Sequence, residues 1–83
     1  MTQILYFTAA WCPSCQNMAP VINQLEKNSQ FQVRKVDVDY DAALTERYNV
    51  RSIPTTMIMN DGEIIKQKAG AMSYEQLVNF VNS

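Results

Sequence analysis

The first half of the chain shows three patterns of apolar residues in turn: a continuous apolar run, apolar residues at helical spacing, and apolar residues that alternate with polar ones. Gln3 to Thr8 is a β-branched and aromatic run of the kind found in buried parallel strands. From Cys15 onward, apolar residues recur at three- and four-residue steps, which predicts a helix to about Asn28. Phe31 to Asp39 alternates before it becomes polar, which predicts a second strand that ends in a loop.

Two prolines fall in the first helical segment. Pro13 fits the first turn, where a backbone N–H has no partner within the helix. Pro20 lies in the interior and removes the hydrogen bond to the carbonyl of Gln16. We therefore predict that the helix bends near this point and continues.

The middle of the chain shows a helix start, a helix end and a hairpin. Asp41 is a predicted N-cap for a short helix, and Asn49 can adopt the left-handed conformation that ends it. Thr55 to Asn60 and Glu63 to Ala69 flank Asp61-Gly62, a dipeptide favoured in two-residue hairpin turns. These two segments are predicted to pair as antiparallel strands.

A capping box formed by Ser73 and Gln76 predicts the start of a C-terminal helix. The order strand, helix, strand, helix, hairpin, helix predicts an α/β fold with a four-stranded mixed sheet. It would contain one right-handed βαβ unit and an antiparallel pair, with helices on both faces. Because the chain shows no repeat or linker, we expect residues 1–83 to form a single domain.

Charge and hydropathy exclude several classes of partner. The formal net charge is -1, and the densest basic run, Lys66 to Lys68, is too short to grip nucleic acid or an anionic membrane. The apolar stretch Ile4 to Phe7 is shorter than the core of a signal peptide, and no longer stretch approaches a membrane span. We therefore expect a cytoplasmic monomer that binds neither nucleic acid nor membrane.

The candidate chemistry lies in the pair Cys12 and Cys15, directly after the first predicted strand and at the start of the first helix. The free N–H groups and macrodipole of a helix N-terminus stabilise a thiolate there. Cys12 is therefore the predicted nucleophile. Cys15, one helical turn away, is the predicted resolving thiol that attacks the mixed disulfide.

Three other roles for the cysteines have to be considered. A disulfide between Cys12 and Cys15 closes too small a loop to stabilise the fold much. A structural zinc site needs four ligands, and the chain has two cysteines and no histidine, so we expect no metal. Two inert buried cysteines are the remaining alternative.

Beyond this pair, six short segments occur in the order and approximate spacing of thioredoxins, which the chain resembles over nearly its whole length. The segments are Trp11-Cys12-Pro13-Ser14-Cys15, Met18-Ala19-Pro20, Val36-Asp37-Val38-Asp39, Ile53-Pro54-Thr55, Asn60-Asp61-Gly62-Glu63 and Gly70-Ala71. The combination of a tryptophan before C-x-x-C and a later Ile-Pro-Thr carries most of the specificity.

The resemblance implies a substrate-binding groove. In thioredoxins the proline that matches Pro54 has a cis peptide bond and lies against the cysteines, so that the backbone of Ile53 can accept an extended substrate. Trp11, Ile53, Gly70 and Ala71 match the rim of that groove. Core packing is the alternative for Trp11, and a strand-end bulge is the alternative for Gly70.

The sequence departs from the thioredoxin pattern around the groove. The chain starts at the strand before C-x-x-C, so we expect a fold near the glutaredoxin minimum. Tyr6 occupies the place of a buried aspartate that helps move the proton of the resolving cysteine. Lys35 matches the lysine usually near that aspartate, and either tunes the site or extends to water. The dipeptide Pro13-Ser14 replaces Gly-Pro, and we expect Ser14 to donate a hydrogen bond to the Cys12 thiolate.

The resemblance implies an enzyme, a thiol–disulfide oxidoreductase that reduces protein disulfides and needs no cofactor besides its own redox-active disulfide. A flavin-dependent thioredoxin reductase would recharge it, and a reductive enzyme such as ribonucleotide reductase would be a substrate.

Two alternative functions are also consistent with the sequence. The first is a glutaredoxin-like reductase that uses glutathione, disfavoured by Ser52-Ile53-Pro54 and the lone Gly70 where glutaredoxins usually have Thr-Val-Pro and Gly-Gly. The second is a thioredoxin-fold binding subunit in which the thiols are incidental.

Overall fold

The computed structural model describes residues 2–28 and 30–83. Within this part of the chain the elements are β1 (Thr2–Thr8), α1 (Pro13–Glu26), β2 (Gln32–Asp37), α2 (Ala42–Arg47), β3 (Thr55–Asn60), β4 (Glu63–Ala69) and α3 (Tyr74–Asn82). None of these helices is long and apolar enough to cross a membrane.

The strands form one mixed sheet in the order β2-β1-β3-β4. β1 pairs in parallel with β2 and antiparallel with β3, and β3 pairs antiparallel with β4. This arrangement confirms the predicted βαβ unit and antiparallel pair. It also places the carboxyl ends of β1 and β2 side by side at the same end of the sheet, where the C-x-x-C segment follows β1.

Side chains of β1 point alternately to the two faces of the sheet, and each face packs against helices. On one face, Ile4 and Tyr6 join buried residues of α1 and α3, among them Ile22 and Leu77. The opposite face packs against α2, through the residues Leu5, Phe7, Met57, Leu44 and Tyr48. Helices therefore cover both faces, as predicted.

Two predicted boundaries were wrong by a few residues. β2 ends at Asp37 rather than Asp39, because the Asp37 carboxylate accepts the backbone N–H of Asp39 at 2.9 Å and turns the chain. α1 ends at Glu26 rather than at about Asn28; Pro13 lies in its first turn, as predicted, and Cys12 is its N-cap. The helix continues through Pro20 to Glu26, and the bend at Pro20 stays a prediction.

The turn and cap residues behave as predicted. Asp61 and Gly62 have φ of 53° and 84°, which is the hairpin turn expected for Asp-Gly. Asn49, with φ of 55°, follows the end of α2. Ser73 accepts the N–H of Gln76 at 3.2 Å, and the Gln76 side chain accepts the N–H of Ser73 at 2.9 Å. The reciprocal capping box is therefore present.

Candidate functional site

Cys12 and Cys15 are brought together by the junction of β1 and α1. Cys12 is the N-cap of α1 in an extended conformation, and Pro13 occupies the first helical position with its φ already suited to a helix. The Cys12 sulfur accepts the backbone N–H of Cys15 at 3.2 Å. Both thiols are free and buried, with exposed fractions of 6% and 1%. Cys12 is the more accessible of the two.

The predicted hydrogen bond from Ser14 to Cys12 was wrong for this structure. Ser14 is exposed, and the donor to the Cys12 sulfur is the N–H of Cys15, one residue further along the helix. The reason is the geometry of an N-cap residue, whose side chain accepts the backbone N–H of the residue two or three positions further along the helix. For Cys12, the N–H three positions along, that of Cys15, makes the bond.

The loop before β3 closes the site on the side of Cys12. The Cys12 thiol donates a long hydrogen bond, 3.9 Å, to the backbone carbonyl of Ile53, and the Ile53 side chain packs near Ala9 and both cysteines. The Ile53–Pro54 peptide bond is cis, and Pro54 is buried. The backbone of Ile53 therefore lies directly beside the thiol, where the resemblance expected it.

Gly70 follows β4 and contacts the same loop. Its N–H donates to the Pro54 carbonyl at 2.8 Å, and its φ of 103° is in the region that favours glycine. The register irregularity between β3 and β4 lies at Ile58 and Met59, so the alternative of a bulge at Gly70 was wrong. Ala71, the next residue, is exposed.

Trp11 lies at the surface beside Cys12. Its side chain is 65% exposed, so the alternative of core packing was wrong. The indole Nε1–H donates to the Asp39 carboxylate at 2.9 Å, which holds the ring. A cavity of about 150 Å³ lies next to Trp11, between Val38 and Ile53. The sequence analysis did not identify Asp39 as a partner of Trp11. Its position just after β2, which runs parallel to β1, could have indicated that it lies near the residues that follow β1.

Tyr6 lies beneath Cys15 on the core side of the site. Its phenol is buried, and its hydroxyl donates to the backbone carbonyl of Cys15 at 3.3 Å. Burial raises the pKa of Tyr6 to about 12; the nearby Thr8 side chain works against that shift, and the nearby thiols add to it. Tyr6 therefore stays a neutral hydroxyl at physiological pH.

Burial also raises the pKa of Cys15, and its hydrogen bond with Cys12 raises it further. The Ala9 backbone and the Thr8 side chain nearby act in the opposite direction and lower the pKa of Cys15. Thr8 was not singled out from the sequence. Its position could have been inferred from the alternation of side chains along β1. This alternation puts Thr8 on the same face as Tyr6, at the end of the strand nearest the cysteines.

The structure does not bring Lys35 to the thiols. Its ammonium donates to the Asn23 side chain at 2.6 Å and forms an ion pair with Glu26 at 3.1 Å, both on α1. The side chains in this ion pair are 42% and 47% exposed. This position agrees with the alternative in which Lys35 extends to water.

A thiol at a helix N-terminus, paired with a second and more deeply buried thiol beside a sheet, defines a site for thiol–disulfide exchange. The thioredoxin family model matches residues 1–83. The chain is 36% identical over 81 residues to the thioredoxin of Haemophilus influenzae, covering 95% of this chain and 76% of that protein. It is 36% identical over 78 residues to the thioredoxin of Bacillus subtilis, covering 92% and 75%.

Solved structures agree with these sequence matches. A mutant thioredoxin from Halobacterium salinarum superimposes with a TM-score of 0.90 at 32% identity, covering 98% of this chain and 72% of that one. The chain belongs to the thioredoxin family, and it is a thiol–disulfide oxidoreductase.

Proposed function

We propose that this protein reduces disulfides of other proteins, with Cys12 as the nucleophile and Cys15 as the resolving thiol. The observation that carries the proposal is the bond from the Cys15 N–H to the Cys12 sulfur at the N-terminus of α1. That N–H and the helix dipole stabilise negative charge on Cys12, and the lower exposure of Cys15 keeps it for the second step.

The reaction is two successive exchanges. The Cys12 thiolate attacks one sulfur of the substrate disulfide, and the other substrate sulfur leaves as a thiolate that takes a proton. Cys15 then loses its proton and attacks the Cys12 sulfur of the mixed disulfide. This forms the Cys12–Cys15 disulfide and releases the second substrate thiol. The protein is oxidised by two electrons and the substrate is reduced by two, with no cofactor besides the cysteines.

The groove beside Cys12 is proposed to bind an extended segment of the substrate. Trp11, Ile53, Gly70 and Ala71 would form its rim, and Pro54 its floor. The contact between the Cys12 thiol and the Ile53 carbonyl supports this assignment, because a substrate strand that pairs with Ile53 would bring its disulfide to that sulfur. Contacts to the backbone discriminate little between side chains, so we expect several protein substrates, a reductive enzyme among them.

The electron donor is proposed to be a flavin-dependent thioredoxin reductase in a reducing compartment, the cytoplasm, where the pair would be kept as a dithiol. A disulfide-reduction assay tests this with two electron sources, thioredoxin reductase with its nicotinamide cofactor or glutathione with glutathione reductase. Turnover with thioredoxin reductase alone is the expected result. Turnover only with glutathione would contradict the choice of donor, and no turnover with either would contradict the proposed function.

A further inference from the structure

The turn between β1 and α1 is held by a side chain that the proposed reaction does not use. The Nε2 amide of Gln16, the fourth residue of α1, donates to the backbone carbonyl of Ala10 at 2.7 Å. Ala10 lies outside the helix, in the turn that leads from β1 to Cys12. Through this one side chain, the helix therefore holds the turn that precedes it.

The backbone hydrogen bond across the same turn is long. The N–H of Cys12 donates to the Ala9 carbonyl at 3.3 Å, beyond the usual range of roughly 2.7–3.2 Å for such bonds. The contact from Gln16 lies at the short end of that range. The Gln16 side chain is therefore the better placed of these two donors to fix the conformation of the turn.

The contact with Gln16 restrains Trp11 through its backbone. The Ala10 carbonyl belongs to the peptide unit that joins Ala10 to Trp11, and the N–H and Cα of Trp11 lie in the same plane. The other end of Trp11 is held by Asp39, which accepts the indole Nε1–H at 2.9 Å. Trp11 is thus held at both its backbone and its ring, although its side chain is 65% exposed.

An exposed aromatic ring with a fixed orientation is suited to binding. A side chain that becomes ordered only when a partner binds loses conformational entropy at that moment, and this loss weakens the complex. A ring that is already held avoids that loss. Because the indole has an anchor on each side of the groove beside Cys12, both anchors contribute to this preorganisation.

We propose that Gln16 is a positioning residue of the substrate groove, which holds the Ala10–Trp11 peptide unit so that the indole is oriented before a protein disulfide binds. The proposal rests on the assignment of Trp11 to the groove in the proposed function. Because the Gln16 amide bonds to the turn, its effect passes through the orientation of Trp11 and leaves the exchange between the sulfur atoms unchanged.

Time-resolved fluorescence anisotropy of Trp11, the chain's one tryptophan, reports the motion of the ring directly. Gln16→Met removes the amide donor and keeps a flexible side chain that suits a helix. In the reduced variant we expect a larger amplitude of sub-nanosecond depolarisation. The KM for a protein disulfide should rise about threefold with kcat unchanged, and a small aromatic disulfide should react at its original rate.

Gln24 supplies a matched control, because it is an exposed glutamine about two turns further along the same helix. Gln24→Met makes the same chemical change away from the turn, and should leave the anisotropy and the KM as they were. Gln16→Glu keeps the shape of the side chain without the donor, and should free the ring as Gln16→Met does. Gln16→Lys offers a donor of similar reach, and should bring the anisotropy back toward its original value.

Unchanged anisotropy in Gln16→Met, a change of equal size in Gln24→Met, or no recovery in Gln16→Lys would overturn the proposal. Greater ring motion with an unchanged KM would overturn it too, since the orientation of Trp11 would not affect binding. Equal slowing of the small disulfide would show that Gln16 acts on Cys12 itself. If the original protein reduces no protein disulfide, the proposed function fails, while the anisotropy still decides whether Gln16 holds Trp11.

Discussion

The hydroxyl of Tyr6 donates to the backbone carbonyl of Cys15 across 3.3 Å, which joins the centre of β1 to the first turn of α1. A neutral side chain therefore stands where the resemblance to thioredoxins leads one to expect a carboxylate. The replacement of that carboxylate by Tyr6 avoids the burial of a charge under the helix. It also leaves the site without a buried carboxylate at that position that could take the proton of Cys15.

The buried phenol gives a prediction about alkaline stability. Folding raises the pKa of Tyr6 from 10.0 to about 12, so above pH 10 the unfolded chain releases a proton that the folded chain keeps. Stability that is fully present below pH 10 is lost as the pH rises toward 12, by about 2–3 kcal/mol from this group. Tyr6→Phe should flatten that decline in urea-unfolding titrations, while costing about 1 kcal/mol at neutral pH through the lost hydrogen bond.

Tyr40→Phe is the control for this titration, because the Tyr40 side chain is 92% exposed and its hydroxyl meets water in both states. It should reproduce the alkaline decline of the original protein. Cys15, whose pKa is also raised, adds its own contribution to the alkaline slope in all three proteins. An alkaline decline in Tyr6→Phe as steep as in Tyr40→Phe would show that Tyr6 is not the titrating group.

Two adjacent threonines on β3 should respond in opposite directions to loss of the hydroxyl. Thr56 has a buried hydroxyl with no partner among the described residues, so Thr56→Val should raise the free energy of unfolding by about 1 kcal/mol. Thr55 donates to the Ser52 carbonyl at 2.5 Å, so Thr55→Val should lower it by a similar amount. Urea unfolding at pH 7 measures both, and changes of the same sign would contradict the hydrogen-bond assignment.

Trp11 is the chain's one tryptophan, and its contact with Asp39 can be tested by fluorescence and kinetics together. Asp39→Ala frees the indole, so we expect a changed emission spectrum and a KM for protein disulfides raised about fivefold, with kcat little changed. Asp39→Asn keeps an acceptor oxygen and should resemble the original protein. A spectrum altered in Asp39→Ala with an unaltered KM would remove Trp11 from the substrate groove.

The fold could be predicted from the sequence where local signals agree. Asp61-Gly62 specified the hairpin, and Ser73 with Gln76 specified the start of α3. The end of β2 was missed, because the side chain of Asp37 competes with the ladder for the backbone N–H of Asp39. That competition depends on one side-chain rotamer, which hydrophobic periodicity does not encode.

The site could be predicted where it is contiguous in sequence, and only in part where distant segments meet. Cys12 and Cys15 followed from their place at the end of a strand. The partner of Trp11 is 28 residues away in sequence, and the position of Lys35 depends on Asn23 and Glu26 of a packed helix. Such pairings require the register between β1 and β2, which the pattern of apolar residues does not fix.

Trapping of the mixed disulfide tests the central claim most directly, that Cys12 attacks and Cys15 resolves. Reduced Cys12→Ser and Cys15→Ser variants are each mixed with an oxidised protein substrate and examined by non-reducing mass spectrometry. We predict that Cys15→Ser accumulates a covalent adduct through Cys12, while Cys12→Ser, whose remaining thiol is 1% exposed in the native fold, accumulates almost none. An adduct that forms equally well through Cys15 would contradict the assignment.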